Sequence, residues 1–238
     1  MKSLNCPNCG AALPAQAIKF DIATCEFCGT SFRISSTLTP QPDMGDLLLG
    51  ADFSDKHMPG WEVLNADKLT FLNGDQPEMY GVFKPDATKS HYVLKSSGFL
   101  DDFDASVSIK FTHGTLDKTR AGFYLRFTDD GGFGFLISAQ SSYTYGIFTK
   151  DSENKLVWQK ILAWTSHTAL KYGFNVSNRL RVICDRDRFR VYLNGVLATS
   201  FKDSRFQAGT FYLTVDPGAD GLDGGFAFSD LQVREVPE

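Results

Sequence analysis

Four cysteines near the start of the chain have the spacing that most directly indicates chemistry. They form two CxxC pairs, Cys6 with Cys9 and Cys25 with Cys28, and fifteen residues separate the pairs. This is the spacing of a tetrahedral zinc site built from four thiolates. A glycine follows each pair and supplies the positive φ that closes a tight turn around the metal. The spacing therefore predicts Zn²⁺ bound by Cys6, Cys9, Cys25 and Cys28.

The predicted zinc has a structural role. Cysteine fills all four ligand positions, so none remains for the water molecule that a catalytic zinc needs. A segment of about 30 residues is too small to bury a core, so metal binding must supply most of its folding energy. Two disulfides or a redox-active CxxC pair are the alternatives. Disulfides need an oxidising compartment, and a thioredoxin-type pair needs a βαβ context that is missing here.

The charge distribution disfavours nucleic-acid binding. The chain has 238 residues, of which 42% are hydrophobic and 13% aromatic, as in a globular protein with a well-filled core. Residues 1–34 contain three basic and two acidic residues (net +1), and the remainder contains 21 basic and 26 acidic residues (net −5). Neither part has the clustered basic face with which duplex-binding domains neutralise phosphates.

The sequence gives no sign of membrane insertion or secretion. No apolar run approaches the roughly 18 residues that a membrane helix needs. The segment 1–5 has no apolar h-region of a secretory signal. We therefore expect a cytoplasmic protein, in which reduced thiolates are available to bind metal. The remaining cysteine, Cys184, lies in an apolar run and is expected to be a buried strand residue.

A polar stretch containing Pro40 and Pro42 divides the chain. Prolines two residues apart favour an extended, semi-rigid spacer. We therefore predict a zinc ribbon at residues 1–34, a linker at 35–46 and a larger domain at 47–238. The leucines at 47–49 would form an edge strand or pack against the ribbon.

The larger domain has the alternation of β-strands almost throughout. Asn194-Gly195 is a type I′ hairpin signal, and Asp129-Asp130 precedes a glycine turn. Short strands with such turns, and no long helical period, predict an all-β fold: an antiparallel jelly-roll sandwich. The alternating segments are 106–111, 123–127, 133–137, 180–184, 189–193, 211–213 and 226–231.

The order of short motifs along this domain carries a family resemblance. The motifs are Asp52-Phe53, Trp61, Phe103, the segments 121–127, 178–182 and 191–195, Phe206, Gly209 and the segment 226–233. Together they resemble the concanavalin A-like lectin/glucanase sandwiches, and most of all the branch named for 3-keto-disaccharide hydrolases, over about residues 47–236. The resemblance implies a two-sheet jelly roll whose concave sheet can bind sugars. Separately, the CPNCG start resembles bacterial zinc ribbons.

The sequence offers no convincing catalytic constellation. Glycosidases of related fold place their acids as alternating carboxylates on one strand, because both must flank one glycosidic bond, and no such run is present. The acidic clusters at 101–104 and 129–130 are better explained as solvated turns. The histidines are scattered, and no GxSxG elbow accompanies them; they are His57, His91, His113 and His167. We therefore predict no catalytic residues.

A binding face has better support. If Phe123, Leu125 and Phe127 are buried, then Tyr124 and Arg126 point to the other side of the sheet. A tyrosine beside an arginine offers a stacking surface and a planar hydrogen-bonding fork. We expect Tyr192 and Tyr212 to face outward in the same way, with Tyr143 and Tyr145 as further candidates. The predicted ligand-binding residues are Tyr124, Arg126, Tyr192 and Tyr212; the alternative is that the tyrosines belong to an ordinary outer face.

The loop at residues 216–225 sets three aspartates among glycines, as a Ca²⁺ loop can. It lacks the EF-hand order and the closing bidentate glutamate, so a flexible acidic turn is the better interpretation.

These observations predict a non-catalytic recognition or adaptor protein. Its sandwich would bind a glycan or a protein partner, and its ribbon would serve as a docking or assembly element. The alternatives are an enzyme acting on a keto-sugar glycoside, which rests on the resemblance alone, and a structural subunit of a larger assembly.

Overall fold

The computed structural model describes residues 18–19, 22–24, 26–28, 31–33, 44–85, 90–218 and 222–236. The chain divides into two compact units, Met1–Gln41 and Pro42–Glu238. Within the described residues, no helix has both the length and the apolar composition needed to cross a bilayer.

The first unit contains a small antiparallel sheet. Its strands are β1 (Ile18–Lys19), β2 (Ile22–Thr24) and β3 (Ser31–Arg33), in the order β1-β2-β3. Because Thr24 pairs with Ser31, the β2–β3 connection carries Cys25 and Cys28. Cys28 ends an exposed turn at residues 26–28. The other predicted zinc ligands, Cys6, Cys9 and Cys25, lie outside the described residues.

The second unit is built from antiparallel strands with short connections. A 3-10 turn at Ala66–Lys68 interrupts them. The strands are β4 (Leu47–Ala51), β5 (Trp61–Val63), β6 (Leu69–Leu72), β7 (Glu78–Phe83), β8 (His91–Leu100), β9 (Phe103–His113), β10 (Arg120–Thr128), β11 (Gly131–Ser138), β12 (Ser142–Lys150), β13 (Leu156–Ser166), β14 (Ser177–Asp185), β15 (Arg188–Leu193), β16 (Val196–Lys202), β17 (Gly209–Asp216) and β18 (Gly224–Arg234).

These strands form two antiparallel sheets, so the predicted all-β sandwich is confirmed. The seven-stranded sheet has the order β13-β12-β11-β10-β17-β8-β5. The eight-stranded sheet has the order β16-β15-β14-β9-β18-β7-β6, and β4 also pairs with β18. The leucines at 47–49 therefore belong to a strand paired with β18.

The core lies between the inner faces of the two sheets, where alternation puts an apolar side chain at every second position. Val107, Ile109 and Phe111 on β9 are fully buried, as their spacing predicts. Aromatic rings join the sheets: the ring centroids of Phe133 (β11) and Phe189 (β15) are 4.5 Å apart. Cys184 is also fully buried, as expected for a strand residue.

Two predicted turns are present. Asn194 and Gly195 both have positive φ, 47° and 85°, as a type I′ hairpin requires. Thr128 pairs with Gly131, which leaves Asp129-Asp130 as the two-residue turn between β10 and β11.

A β-bulge in β10 makes one part of the predicted alternation wrong. The register of β10 shifts between Leu125 and Thr128 against β11, and between Tyr124 and Phe127 against β17. Arg126 adopts the left-handed region, with φ of 50°. An extra residue at a bulge reverses the facing of the side chains that follow it. Arg126 therefore turns into the protein, and Phe127 joins Tyr124 on the outer face.

Tyr143 and Tyr145 also differ from expectation. Both belong to the hydrophobic core and are 6% and 8% exposed. Tyr145 stacks on the ring of Phe201, with centroids 4.5 Å apart. Tyr143 and Tyr145 are two positions apart, so they share one face of β12. That face is the inner one, which packs in the core.

Candidate functional site

The candidate site lies on the outer face of the seven-stranded sheet. The β10–β17 register sets Tyr124 directly opposite Tyr212, and both point away from the core residues Phe123 and Leu213. Further rings from β8, β10, β12 and β13 surround this pair. We call the set the aromatic floor, and its members are Tyr92, Tyr124, Phe127, Phe148, Trp158 and Tyr212.

The rings of the aromatic floor are in continuous contact. Tyr124 is at the centre: its ring centroid lies 5.9 Å from that of Tyr92, 5.8 Å from Phe127 and 4.8 Å from Phe148. Tyr92 and Tyr212 are 4.7 Å apart at one side, and Phe148 and Trp158 are 4.9 Å apart at the other. Tyr124 is 3% exposed and the other members are partly exposed. The floor is therefore a connected apolar surface that reaches solvent.

Two glycines let the indole of Trp158 lie across the sheet. Gly134 on β11 and Gly146 on β12 are paired neighbours on the outer face. A Cβ at Gly134 would lie 2.6 Å from Cζ3 of Trp158, and one at Gly146 would lie 2.8 Å from Cζ2. Both separations are shorter than van der Waals contact, so any larger residue would displace the ring. The indole thus reaches from β13 over β12 to β11, beside Tyr124.

Polar groups border the floor. The hydroxyl groups of Ser90 and Tyr124 share a hydrogen bond of 2.8 Å. Lys95 Nζ donates to Glu62 at 3.1 Å at the β5–β8 edge. Burial raises the pKa of the Tyr124 phenol well above its ordinary value of 10.0, so the group is a neutral hydroxyl near neutral pH. The site combines stacking surface with hydroxyl and ion-paired groups.

Arg120 and Asp216 form a second ion pair on this face. They are directly opposed in the β10–β17 register, and Arg120 Nη1 lies 3.3 Å from Asp216 Oδ2. The guanidinium carbon of Arg120 is 5.0 Å from the ring centroid of Trp164. This distance is within the range of a cation–π interaction.

The structure brings together two of the four predicted ligand-binding residues. Tyr124 and Tyr212 lie in the aromatic floor. Tyr192 lies instead on the outer face of the eight-stranded sheet, where it is 2% exposed and its ring is 5.5 Å from the guanidinium carbon of Arg181. The sequence correctly indicated that Tyr192 points away from the core, but the side of the sandwich depends on long-range strand order.

The expectation of an exposed Arg126 is wrong. Its side chain is fully buried, and it donates to the carbonyl oxygens of Asp101, Arg186 and Phe206 and to the Asp102 carboxylate. A guanidinium with these partners joins three loops at one end of the sandwich. It has no exposed fork to offer a ligand, because the bulge turns it inward.

Sequence reasoning missed Tyr92, Phe127, Phe148 and Trp158. The bulge hides Phe127, since strict alternation assigns it to the core. Phe148 follows the buried Ile147 in the alternation of β12, and Trp158 lies on a mostly exposed strand. The available signal was the pair Gly134 and Gly146: a glycine within a strand often marks the close approach of another group.

The strands of this face carry no pair of carboxylates suited to glycoside hydrolysis. In the described part of the seven-stranded sheet, the outward carboxylates are Glu62 and Asp216, each paired with a cation. Lys95 on β8 pairs with Glu62 on one side and with Tyr212 on the other, so Glu62 and Tyr212 lie at the same position along the strand direction. Asp216 lies four residues further along β17, about 13 Å at the rise of a strand. Glycosidase carboxyl groups are about 5 to 10 Å apart.

A cleft of about 790 Å³ lies beside the eight-stranded sheet. Its lining includes Asp52, Asp55, His57, Asp75 and Asp230, but no phenylalanine, tyrosine or tryptophan. Across the described residues, no three His, Cys, Asp or Glu side chains are grouped closely enough to hold a metal ion. The cleft therefore lacks the stacking surface that distinguishes the aromatic floor.

The acidic loop at residues 216–225, for which we expect a flexible turn, is only partly described. Asp216 accepts from the backbone N–H of Gly218 at 2.8 Å and pairs with Arg120. Asp220 lies outside the described residues, and Asp223 lies immediately before β18. The expected flexible turn and the calcium alternative therefore both stay untested.

Comparisons with known proteins give structural neighbours only. No family model matches the chain, and no curated protein matches it. Among solved structures it is similar to the carbohydrate-binding module CBM66 from Bacillus subtilis, with 19% identity, 74% of this chain and 96% of that chain covered and a TM-score of 0.51. It is also similar to a GH16 protein of the Bacteroides ovatus mixed linkage glucan PUL, with 13% identity, 79% and 100% coverage and a TM-score of 0.57.

A third neighbour has a different function. The receptor-binding domain of botulinum neurotoxin type G shares 12% identity over 80% of this chain, with a TM-score of 0.52, and the chain spans about half of that domain, 48%. At these identities the similarity establishes the fold. The larger unit is a jelly-roll β-sandwich of the kind found in carbohydrate-binding modules and GH16 proteins.

Proposed function

We propose that this protein is a non-catalytic recognition protein whose sandwich binds a glycan on the aromatic floor. The observation that carries the proposal is the connected, partly exposed set of rings on one outer sheet face. Sugar rings present faces of C–H groups that stack on aromatic rings, while their hydroxyl groups bond to polar groups at the edges. Aromatic side chains supply such contact area at low cost in conformational entropy.

The geometry of the floor favours an extended ligand. Its rings run from Trp158 over β11 and β12 to Tyr92 on β8, across the strands instead of into a closed pocket. A short segment of a linear glycan would lie along this direction. The structural neighbours include one carbohydrate-binding module and one GH16 protein, which supports a sugar ligand. The separation of Glu62 and Asp216 supports binding without hydrolysis.

The test is a calorimetric titration of the full chain with a panel of linear oligosaccharides. The panel contains β-1,3- and β-1,4-linked gluco-oligosaccharides and oligogalacturonides. We expect Trp158→Ala to weaken binding about tenfold, because it removes a stacking ring. Tyr172→Ala is the matched control, since Tyr172 is an exposed aromatic residue outside the floor. It should bind as the unaltered protein does.

Two outcomes would contradict the proposal. One is that the unaltered protein binds no member of the panel. The other is that Trp158→Ala and Tyr172→Ala have equal effects. Capture of a protein by the intact chain, lost in Trp158→Ala, would assign the floor to a protein partner instead.

We also propose that Cys6, Cys9, Cys25 and Cys28 hold a structural Zn²⁺. The described part of the first unit fits this role. The β2–β3 hairpin carries its CxxC pair in the connection between Thr24 and Ser31, which is where a tight turn can direct two thiolates at one ion. The strands β1, β2 and β3 are two or three residues long. Strands so short need further stabilisation, which a bound metal supplies.

Elemental analysis of protein prepared without added metal tests the zinc proposal. We expect about one zinc per chain, lost when Cys25 and Cys28 are both replaced by serine. Cys184→Ser is the control, because Cys184 is buried in the sandwich. A zinc content far below one per chain in the unaltered protein would contradict the proposal.

A further inference from the structure

Arg120 lies on the same surface as the aromatic floor. It begins β10, and side chains alternate along the strand, so Arg120, Gly122 and Tyr124 share the outer face. The charge of Asp216, the ion-pair partner of Arg120, is felt at the Tyr124 hydroxyl and contributes to its raised pKa. The ion pair therefore lies on the same outer face as the central ring of the floor, four residues away along the paired strands β10 and β17.

The guanidinium of Arg120 has hydrogen-bonding capacity to spare. Of its N–H groups, one on Nη1 reaches Asp216, and Nε is buried without a hydrogen-bond partner among the described residues. Its side chain is 29% exposed, so the outer part of the fork is open to a ligand. Trp164 and Asp216 hold it in place. A planar fork that is already fixed loses little freedom when it forms a new bond.

The charges of Arg120 and Asp216 together determine whether a neutral or a charged oxygen of a ligand is favoured beside them. Asp216 is itself fixed, because its Oδ1 accepts from the Gly218 N–H while Oδ2 faces Arg120. The pair has no net charge. A carboxylate on the ligand would be attracted by Arg120 but repelled by Asp216 beside it. A hydroxyl or ring oxygen accepts from Arg120 without that repulsion, and a hydroxyl group can also donate to Asp216.

We propose that Arg120, held by Asp216 and Trp164, is the specificity-determining residue of the floor and selects neutral sugars over uronic acids. The inference rests on the proposed glycan binding and adds a ligand class to it. Arg120 donates to oxygens of the bound sugar, and Asp216 disfavours a sugar carboxylate at the same place.

The test uses the same titrations with the full chain. The unaltered protein should bind the neutral gluco-oligosaccharides more tightly than the oligogalacturonides. Arg120→Met keeps much of the apolar stem but removes the donors, and it should weaken neutral binding about tenfold or more, since bonds to charged groups are the stronger ones. Lys202→Met removes a positive charge from β16 of the eight-stranded sheet, away from the floor, and is the matched control. It should change affinity less than about twofold.

Asp216→Asn is the second variant, and it does not depend on the folding of Arg120→Met. It removes the repulsion and should increase the affinity for oligogalacturonides relative to the neutral chains. Near-ultraviolet circular dichroism checks that each variant is folded. The inference is overturned if the unaltered protein prefers oligogalacturonides, or if folded Arg120→Met and Asp216→Asn both keep its preference.

The outcomes separate this inference from the proposed function. If the unaltered protein binds and Trp158→Ala weakens that binding, but the Arg120 and Asp216 variants behave as the unaltered protein, only the inference fails. If the unaltered protein binds no oligosaccharide in the panel, both fail.

Discussion

Arg126 Nη2 donates to Asp102 Oδ1 at 3.0 Å, and the same carboxylate oxygen accepts from the backbone N–H of Arg186 at 2.6 Å. One carboxylate therefore joins a buried guanidinium to the β14–β15 turn. Arg126 also donates to the carbonyl oxygens of Arg186 and Phe206. The arrangement makes Arg126 a structural clamp, in contrast to the ligand-binding role that its sequence position indicates.

We expect Arg126→Met to reduce the free energy of unfolding by about 3 to 5 kcal/mol, since it leaves buried carbonyl oxygens without donors. Urea unfolding measures the change. Arg186→Met is the control: the Arg186 side chain is 83% exposed, so its loss should cost less than about 0.5 kcal/mol. Equal stability of the two variants would contradict the clamp.

Gly134→Ala should move the Trp158 ring without opening the core. Its Cβ would meet the indole at 2.6 Å and the Tyr124 ring at 3.2 Å. We expect a shift in tryptophan fluorescence and weaker oligosaccharide binding. Gly98→Ala is the control, because a Cβ at Gly98, on the same sheet, has nothing within 4 Å. An unchanged emission spectrum in folded Gly134→Ala would show that the ring does not lie where we describe it.

The stability of the sandwich should fall as the pH rises above about 10. Burial raises the pKa of Tyr124, and that of Tyr92, above the unfolded-state value. Above the unfolded-state pKa, the unfolded chain loses the Tyr124 proton while the folded chain retains it. Deprotonation therefore favours unfolding, and this contribution is fully present only below that pKa.

Melting temperatures between pH 8 and pH 11 measure this dependence. Tyr124→Phe should show a shallower decline. At pH 8 it should be less stable by about 1 kcal/mol, because it lacks the hydrogen bond to Ser90. Tyr172→Phe, at an exposed position, should follow the unaltered protein. Identical slopes for Tyr124→Phe and the unaltered protein would contradict a buried, neutral phenol.

Chelation should affect the two units differently. If zinc folds the first unit, a strong chelator under reducing conditions should unfold that unit and leave oligosaccharide affinity unchanged, because the floor is made entirely by residues of Pro42–Glu238. Limited proteolysis detects the unfolding, and calorimetry follows the affinity. Protection of residues 1–34 that persists after complete zinc removal would contradict a metal-dependent fold.

Most of the strands could be predicted from the sequence because the alternation of apolar and polar residues depends only on neighbours within the same strand. A residue such as Val107 is buried when its neighbours two positions away are also apolar, whichever strand lies beside it. The same reasoning predicted the hairpin at Asn194 and the burial of Cys184. It also placed Tyr124 and Tyr212 correctly on outer faces.

The assembly of the site could be predicted only in part. Tyr192 and Tyr212 have the same local pattern, yet they lie on different sheets, because strand order brings together residues far apart in the chain. Trp158 joins the floor only because Gly134 and Gly146 pair opposite each other. Arg126 and Phe127 exchange faces through a bulge that alternation does not reveal. These features depend on pairing partners, which a pattern in one strand does not specify.

The bulge in β10 has a genetic consequence. Deleting a single codon between those for Leu125 and Phe127 would restore strict alternation at this end of the strand. Phe127 would then follow the inward-facing Leu125 directly and keep its outward orientation, but the guanidinium of Arg126 would be lost from the loops it fastens. One inserted amino acid thus supplies the anchor of three loops without changing the outward orientation of the ring that follows it, so loop anchoring can be lost while the aromatic surface is kept.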